Sequence, residues 1–157
     1  MLHSVSDDAT ASSSLPFGLV VAGATAGALI AIGHRLGSIG LPFAATAAAL
    51  LRRTATSADA SLVTIGIGLH VVLMLAWSAL FAWLVRARGW SVGVAALTVV
   101  VLAHTVNSVV AWRTGNGIAS VLPLGDRIVL AVVFAGALAI GIRFAFSPKR
   151  ETASSIE

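Results

Sequence analysis

Long stretches without a charged residue alternate along this chain with short polar joints. Four such apolar runs stand out. They are Leu15 to His34 with Leu36 as the last large apolar residue, Ala60 to Val85, Gly89 to Trp112, and Ile128 to Ile142. The last extends to Phe146 if Arg143 snorkels, its stem along apolar surface and its charge in water. Each run approaches or exceeds the roughly 20 residues, about 30 Å at helical rise, that crossing a bilayer takes. None shows the period-two alternation of a lipid-facing barrel strand. The pattern predicts transmembrane helices over 15–36, 60–85, 90–112 and 126–146.

The joint between the first two runs carries its own signal. Gly37-Ser38-Ile39-Gly40 reads as a break, and Pro42 suits the first turn of a new helix. Phe43 to Leu51 is rich in alanine and leucine and stops at Arg52–Arg53, which predicts a short interfacial or partly inserted helix over 42–52. The competing expectation is one kinked first helix. Residues 1–14 are polar and small and lack lysine and arginine, so they read as a disordered tail. A secretory signal needs a positive segment before its apolar core, so the first span is expected to remain as an anchor. Residues 148–157 read as a polar C-terminal tail, and 15–147 as the four-helix domain. The fold class expected is an all-α membrane protein: a bundle of four transmembrane helices with a short interfacial helix between the first two.

Composition sharpens this. Of 157 residues, 58% are hydrophobic and 10% charged, where soluble domains carry about 25% charged residues. A soluble globule of this size could not hide so much apolar surface. There is no cysteine, which excludes disulfides, iron–sulfur clusters, thiolate metal sites and cysteine nucleophiles. Ten basic against six acidic residues give a net charge of +4. The basic residues stand singly or in pairs at the edges of the apolar runs, so headgroups rather than nucleic acid are their expected neighbours. Orientation by charge is balanced. Termini inside would place Arg86, Arg88, Arg143, Lys149 and Arg150 in the cytoplasm and leave Arg35, Arg52, Arg53, Arg113 and Arg127 on the other face. The basic C-terminal end favours both termini on the cytoplasmic side; the Arg52–Arg53 pair favours the reverse.

The first span is dense in small residues. Gly23 with Gly27, and Gly33 with Gly37, are both GxxxG pairs, suited to close helix packing within the bundle or against another subunit. Trp83, Trp90, Trp112, Phe144 and Phe146 fall at expected interfaces, whereas Trp77 lies well inside the second span.

One constellation could carry chemistry. His70 and His104 lie at similar depth, about 12 Å below the same surface if their helices run antiparallel. His34 ends the first span on that side, next to Arg35, and Asn107 shares His104's helix face. Intramembrane polar groups are costly, so a cluster of them is a site hypothesis. Two facing histidines could ligate haem b, or the cluster could hold a quinone, bind a transition metal or relay protons. The plainer expectation is that neutral imidazoles join helices by hydrogen bonds, with no cofactor and no metal. No carboxylate lies within the span interiors, so acid–base catalysis by paired carboxylates is excluded. Candidate ligand-binding residues, in order of depth, are His70 and His104, then Asn107, then His34 with Arg35. Arg35 by itself reads as a headgroup anchor.

The run Gly-Ala-Thr-Ala-Gly-Ala over 23–28, His34-Arg35, Pro42-Phe43, Leu69-His70, Trp77 and Leu80-Phe81-Ala82 resembles small four-helix bacterial inner-membrane proteins of unassigned function. The resemblance covers the first two helices and fades beyond. It implies a multi-pass protein of the bacterial inner membrane and brings no activity with it. Vitamin K epoxide reductase-like proteins need cysteines that are absent here, and the acidic and arginine signatures of the glutathione-using membrane family are missing. The function expected is a non-enzymatic accessory or scaffolding subunit, packing in a larger membrane complex or on itself through the first helix. The alternative is a bundle binding haem b or a quinone.

Overall fold

A computed structural model describes residues 6–53, 55 and 59–145. The chain is all-helical over these residues: α1 (Ser6–Arg35), α2 (Leu41–Leu51), α3 (Ala60–Arg86), α4 (Val92–Thr114), α5 (Ile118–Val121) and α6 (Leu124–Ala145). Four are long and apolar enough to cross a membrane, over Pro16–Arg35, Ala60–Arg86, Val92–Thr114 and Leu124–Arg143. The protein is a four-helix membrane bundle with a short helix between its first two spans.

Two differences from the expected elements stand out. Helix α1 starts at Ser6, inside the stretch read as a tail. Ser6, Asp7 and Asp8 are residue types favoured at helix starts, and Pro16 marks where this polar extension meets the span. Helix α5 has no counterpart among the predicted elements. It is a single turn set between Gly117 and Pro123, too short for a periodic signal. The expected C-terminal tail, 148–157, lies outside the described residues.

The break between α1 and α2 is closed by hydrogen bonds. Gly37 takes a positive φ of 81°, the Ser38 N–H donates to the Gly33 carbonyl at 2.8 Å, and the Gly37 N–H donates to His34 at 3.0 Å. That pair of bonds is the Schellman stop, which occupies otherwise orphaned carbonyls. Pro42 then sits in the first turn of α2, where its missing N–H costs nothing. Arg52 closes α2 in the left-handed region, with the Arg53 N–H donating to Ala48 at 3.0 Å. Helices α3 and α4 are capped by the side chains of Asp59 and Ser91.

Helix α1 packs along both α3 and α6, α4 leans more lightly on α3 and α6, and α2 lies chiefly on α3. Glycines set three of these approaches. A Cβ on Gly66 would run into the backbone of Phe43, so α2 rests its main chain directly on α3. A Cβ on Gly141 would meet the Phe17 ring at 2.8 Å, and one on Gly18 would strike the Leu75 side chain. The buried face of α2 is Pro42, Phe43 and five alanines, small enough to seat a helix closely. Outward, Leu19, Val72, Leu97, Val101, Val132 and Ile140 are exposed, an apolar belt that suits lipid and not water.

The two halves of the bundle are filled differently. Towards the α3–α4 turn the core is solid: Phe17, Val21, Phe81, Ala95, Val99, Leu138 and Ile142 are buried together, with Phe17 and Phe81 rings 6.0 Å apart. Towards the side carrying α2 and α5, a smaller cluster of Leu29, Ile32, Phe43 and Leu122 lines the wall and leaves a cleft.

Candidate functional site

Four helices and one turn build the cleft. Thr25 and Leu29 come from α1, His70 and Met74 from α3, and Val100, Ala103, His104 and Asn107 from α4. Ile118 and Ala119 of α5 stand beside them, and α6 supplies Arg127, Leu130, Ala131 and Phe134. The cleft is open to the surface and has a cavity volume of about 70 Å³, room for part of a small molecule rather than for the whole of one. Its depth follows from register. Thr25 lies ten residues before the end of α1, His70 ten after the start of α3, and His104 ten before the end of α4.

His70 is the buried anchor, 5% exposed. Its Nε2 lies 3.0 Å from Thr25 Oγ1 and 3.3 Å from the Ala22 carbonyl oxygen. Thr25 in turn donates to the Val21 carbonyl at 2.9 Å. A consistent set of donors therefore has Nε2–H donating towards α1, which assigns the tautomer from its network. Phe43 of α2 meets the imidazole edge-on, with centroids 5.7 Å apart and planes at 87°. His70 thus ties α1, α2 and α3 together.

The rest of the polar lining is less engaged. His104 is exposed towards cleft and lipid. Asn107 donates from Nδ2 to the Ala103 carbonyl of its own helix at 3.0 Å. Arg127 is half-buried, and its Nε is buried with no hydrogen-bond partner among the described residues. The neighbouring Asp126 turns to α1: its Oδ1 pairs with the Arg35 guanidinium, while Oδ2 is buried without a partner among the described residues.

Of the residues singled out by sequence, His70, His104 and Asn107 share the cleft, and His34 and Arg35 stand outside its lining. His34 is exposed, and Arg35 is held by Asp126. Gly33 is packed against the carbonyls of Ser38 and Ile39, 2.8 Å from a built Cβ, and so serves the α1 stop. Gly23, Gly27 and Gly37 would meet nothing within 4 Å. Gly23 and Gly27 face outward and seat no helix among the described residues. Among the described residues no three histidine or carboxylate side chains converge as a metal site requires.

Thr25 and Arg127 were not among the candidates. Counting ten residues in from the end of α1 would have found Thr25 at the depth of His70. Arg127 carried a signal too, as a basic residue opening a span one turn above cleft-facing Leu130 and Ala131. No protein-family model, no curated protein and no solved structure matches this chain.

Proposed function

We propose that this membrane protein holds a lipid-soluble small molecule in the cleft, with its polar head near His104, Asn107 and Arg127 and its apolar part against Met74, Val100 and Phe134. The observation that carries this reading is the convergence of three under-used polar side chains on one open cavity in a bundle whose other half is solid. A quinone, whose carbonyls accept hydrogen bonds, suits such a lining. Haem b suits it less, because an iron ligand needs a bare ring nitrogen and His70 Nε2 is engaged with Thr25 and Ala22. The role is binding, without catalysis by the chain itself.

The test is equilibrium binding of a short-tailed quinone analogue to the full chain in lipid nanodiscs, alongside a reduced-minus-oxidised spectrum. Saturable binding weakened in His104→Ala supports the reading. Haem bands lost in both His70→Ala and His104→Ala would replace quinone by haem, and absence of both signals would remove the ligand-binding role.

A second reading, an accessory or scaffolding subunit, is supported by the outward stripe of Gly23, Ala24, Gly27 and Ala31 on α1, since small residues admit a second helix closely. Blue-native electrophoresis that always gives a lone monomer would count against it. The proposal keeps the bacterial inner membrane suggested by the resemblance, and keeps both termini on the cytoplasmic side on the strength of Arg143, Lys149 and Arg150.

A further inference from the structure

The guanidinium of Arg127 lines the cleft half-buried, with one of its three nitrogens enclosed and unmatched among the described residues. Its Nε is buried, and no described side chain or carbonyl receives it. A buried N–H of a charged group is costly to leave unpaired, and among the described residues no carboxylate pairs with it. Asp126 is the only acidic residue between Ala60 and Ala145; its Oδ1 pairs with Arg35, and its Oδ2, though without a partner among the described residues, does not bond Arg127. The cleft lining contains no aspartate or glutamate. A neutral quinone carbonyl would give Arg127 a hydrogen bond and leave its charge uncompensated.

Below the guanidinium the wall turns apolar at once. Arg127, Leu130, Ala131 and Phe134 follow at i, i+3, i+4 and i+7, one face of α6. Seven residues of helix give about 10 Å from the charge to the Phe134 ring, and beyond that ring the solid half of the core begins. One helix face thus runs from cation to apolar floor.

We infer that the cleft selects an amphiphile with an anionic head, a carboxylate or a phosphate, paired to Arg127, with its chain lying along Leu130, Ala131 and Phe134. This rests on the cleft being a ligand site and narrows the head group from any hydrogen-bond acceptor to an anion. Arginine recognises both anions by two parallel N–H donors. The head can belong to a free single-chain acid or to a phospholipid of the surrounding leaflet.

The experiment uses the full chain in phosphatidylcholine nanodiscs, with empty discs subtracted. Binding of decanoate, decanol and the short-tailed quinone analogue is measured for wild type, Arg127→Gln and Arg127→Lys. Decanoate is expected to bind wild type at least about tenfold more tightly than decanol, the range of one charge-assisted bond. Arg127→Gln should erase that preference and Arg127→Lys should keep most of it, while circular dichroism shows both variants folded. Equal binding of decanoate and decanol, or a preference that survives Arg127→Gln, overturns the inference. Quinone binding without decanoate binding overturns it too, and leaves the ligand-site reading standing. If wild type binds none of the three, both readings fall. Adding phosphatidylglycerol to the discs separates the sources: loss of decanoate binding assigns the head to a membrane phospholipid, and unchanged binding assigns it to a free acid.

Discussion

A single imidazole does most of the joining in the hollow half of this bundle. His70 reaches Thr25 and the Ala22 carbonyl across the α1–α3 contact, and interhelical hydrogen bonds in membranes are worth about 1 kcal/mol. His70→Ala is therefore expected to lower stability by about that amount plus a packing loss against Phe43, read by thermal unfolding in detergent. Thr25→Val, which keeps shape and removes the hydroxyl, should reproduce the hydrogen-bond part alone. Asp59 governs a different kind of event, at the start of α3. Its carboxylate accepts the Ser61 hydroxyl and the Ser61 N–H, each at 2.8 Å. These bonds, the hydroxyl's first, with Arg53 nearby, hold it below its ordinary value of 3.8. A carboxyl depressed by folding stabilises the fold above its unfolded value and loses that contribution as pH falls through the folded one. The protection factors of the Ser61 and Leu62 amides, which take out the intrinsic pH dependence of exchange, should fall as acid takes the pH well below 3.8. Asp59→Asn should keep a cap and lose that pH dependence. Protection that falls identically in the Asn variant would locate the acid effect elsewhere.

The spans were legible at the scale of elements because the bilayer imposes run length, and run length is written directly in the sequence. The α1 stop was legible as well, since Gly37 and Pro42 each have a backbone reason for their place. The rotation of α1 about its own axis was not. The helix is apolar or small on every side, so no amphipathic direction tells which stripe faces inward. The GxxxG spacing pointed to Gly23 and Gly27, yet these face out while Thr25 and Leu29 face in. The glycines that seat helices, Gly18, Gly66 and Gly141, lie outside any GxxxG pair, because each answers one close neighbour on another helix: the Leu75 side chain, the Phe43 backbone and the Phe17 ring. The site was half legible for the same reason: depth along a span can be counted, and azimuth around it cannot. Gly66→Ala is accordingly expected to destabilise by about 1–3 kcal/mol through collision with the Phe43 backbone. The double substitution Gly23→Leu with Gly27→Leu should stay within about 0.5 kcal/mol in the monomer, and chemical denaturation of the purified chain compares the two. If the outward α1 face docks on a partner, that double variant will lose the oligomer band on native gels while remaining folded.

Across the whole molecule, one half solid and the other hollow means the protein is not equally compressible along its length. Pressure favours whichever state has less volume, and its leverage scales with the void that collapse removes. Towards the α3–α4 turn there is little to squeeze out, since Val21, Val99 and Leu138 are fully enclosed. On the α2 and α5 side there is the cleft. Methyl resonances of Leu29, Leu130 and Ala131 are therefore expected to move further per unit of hydrostatic pressure than those of Val21 and Leu138. A bound molecule that fills the cleft removes the void, so saturating the protein with its ligand should bring the two sets of methyls to a common, small response.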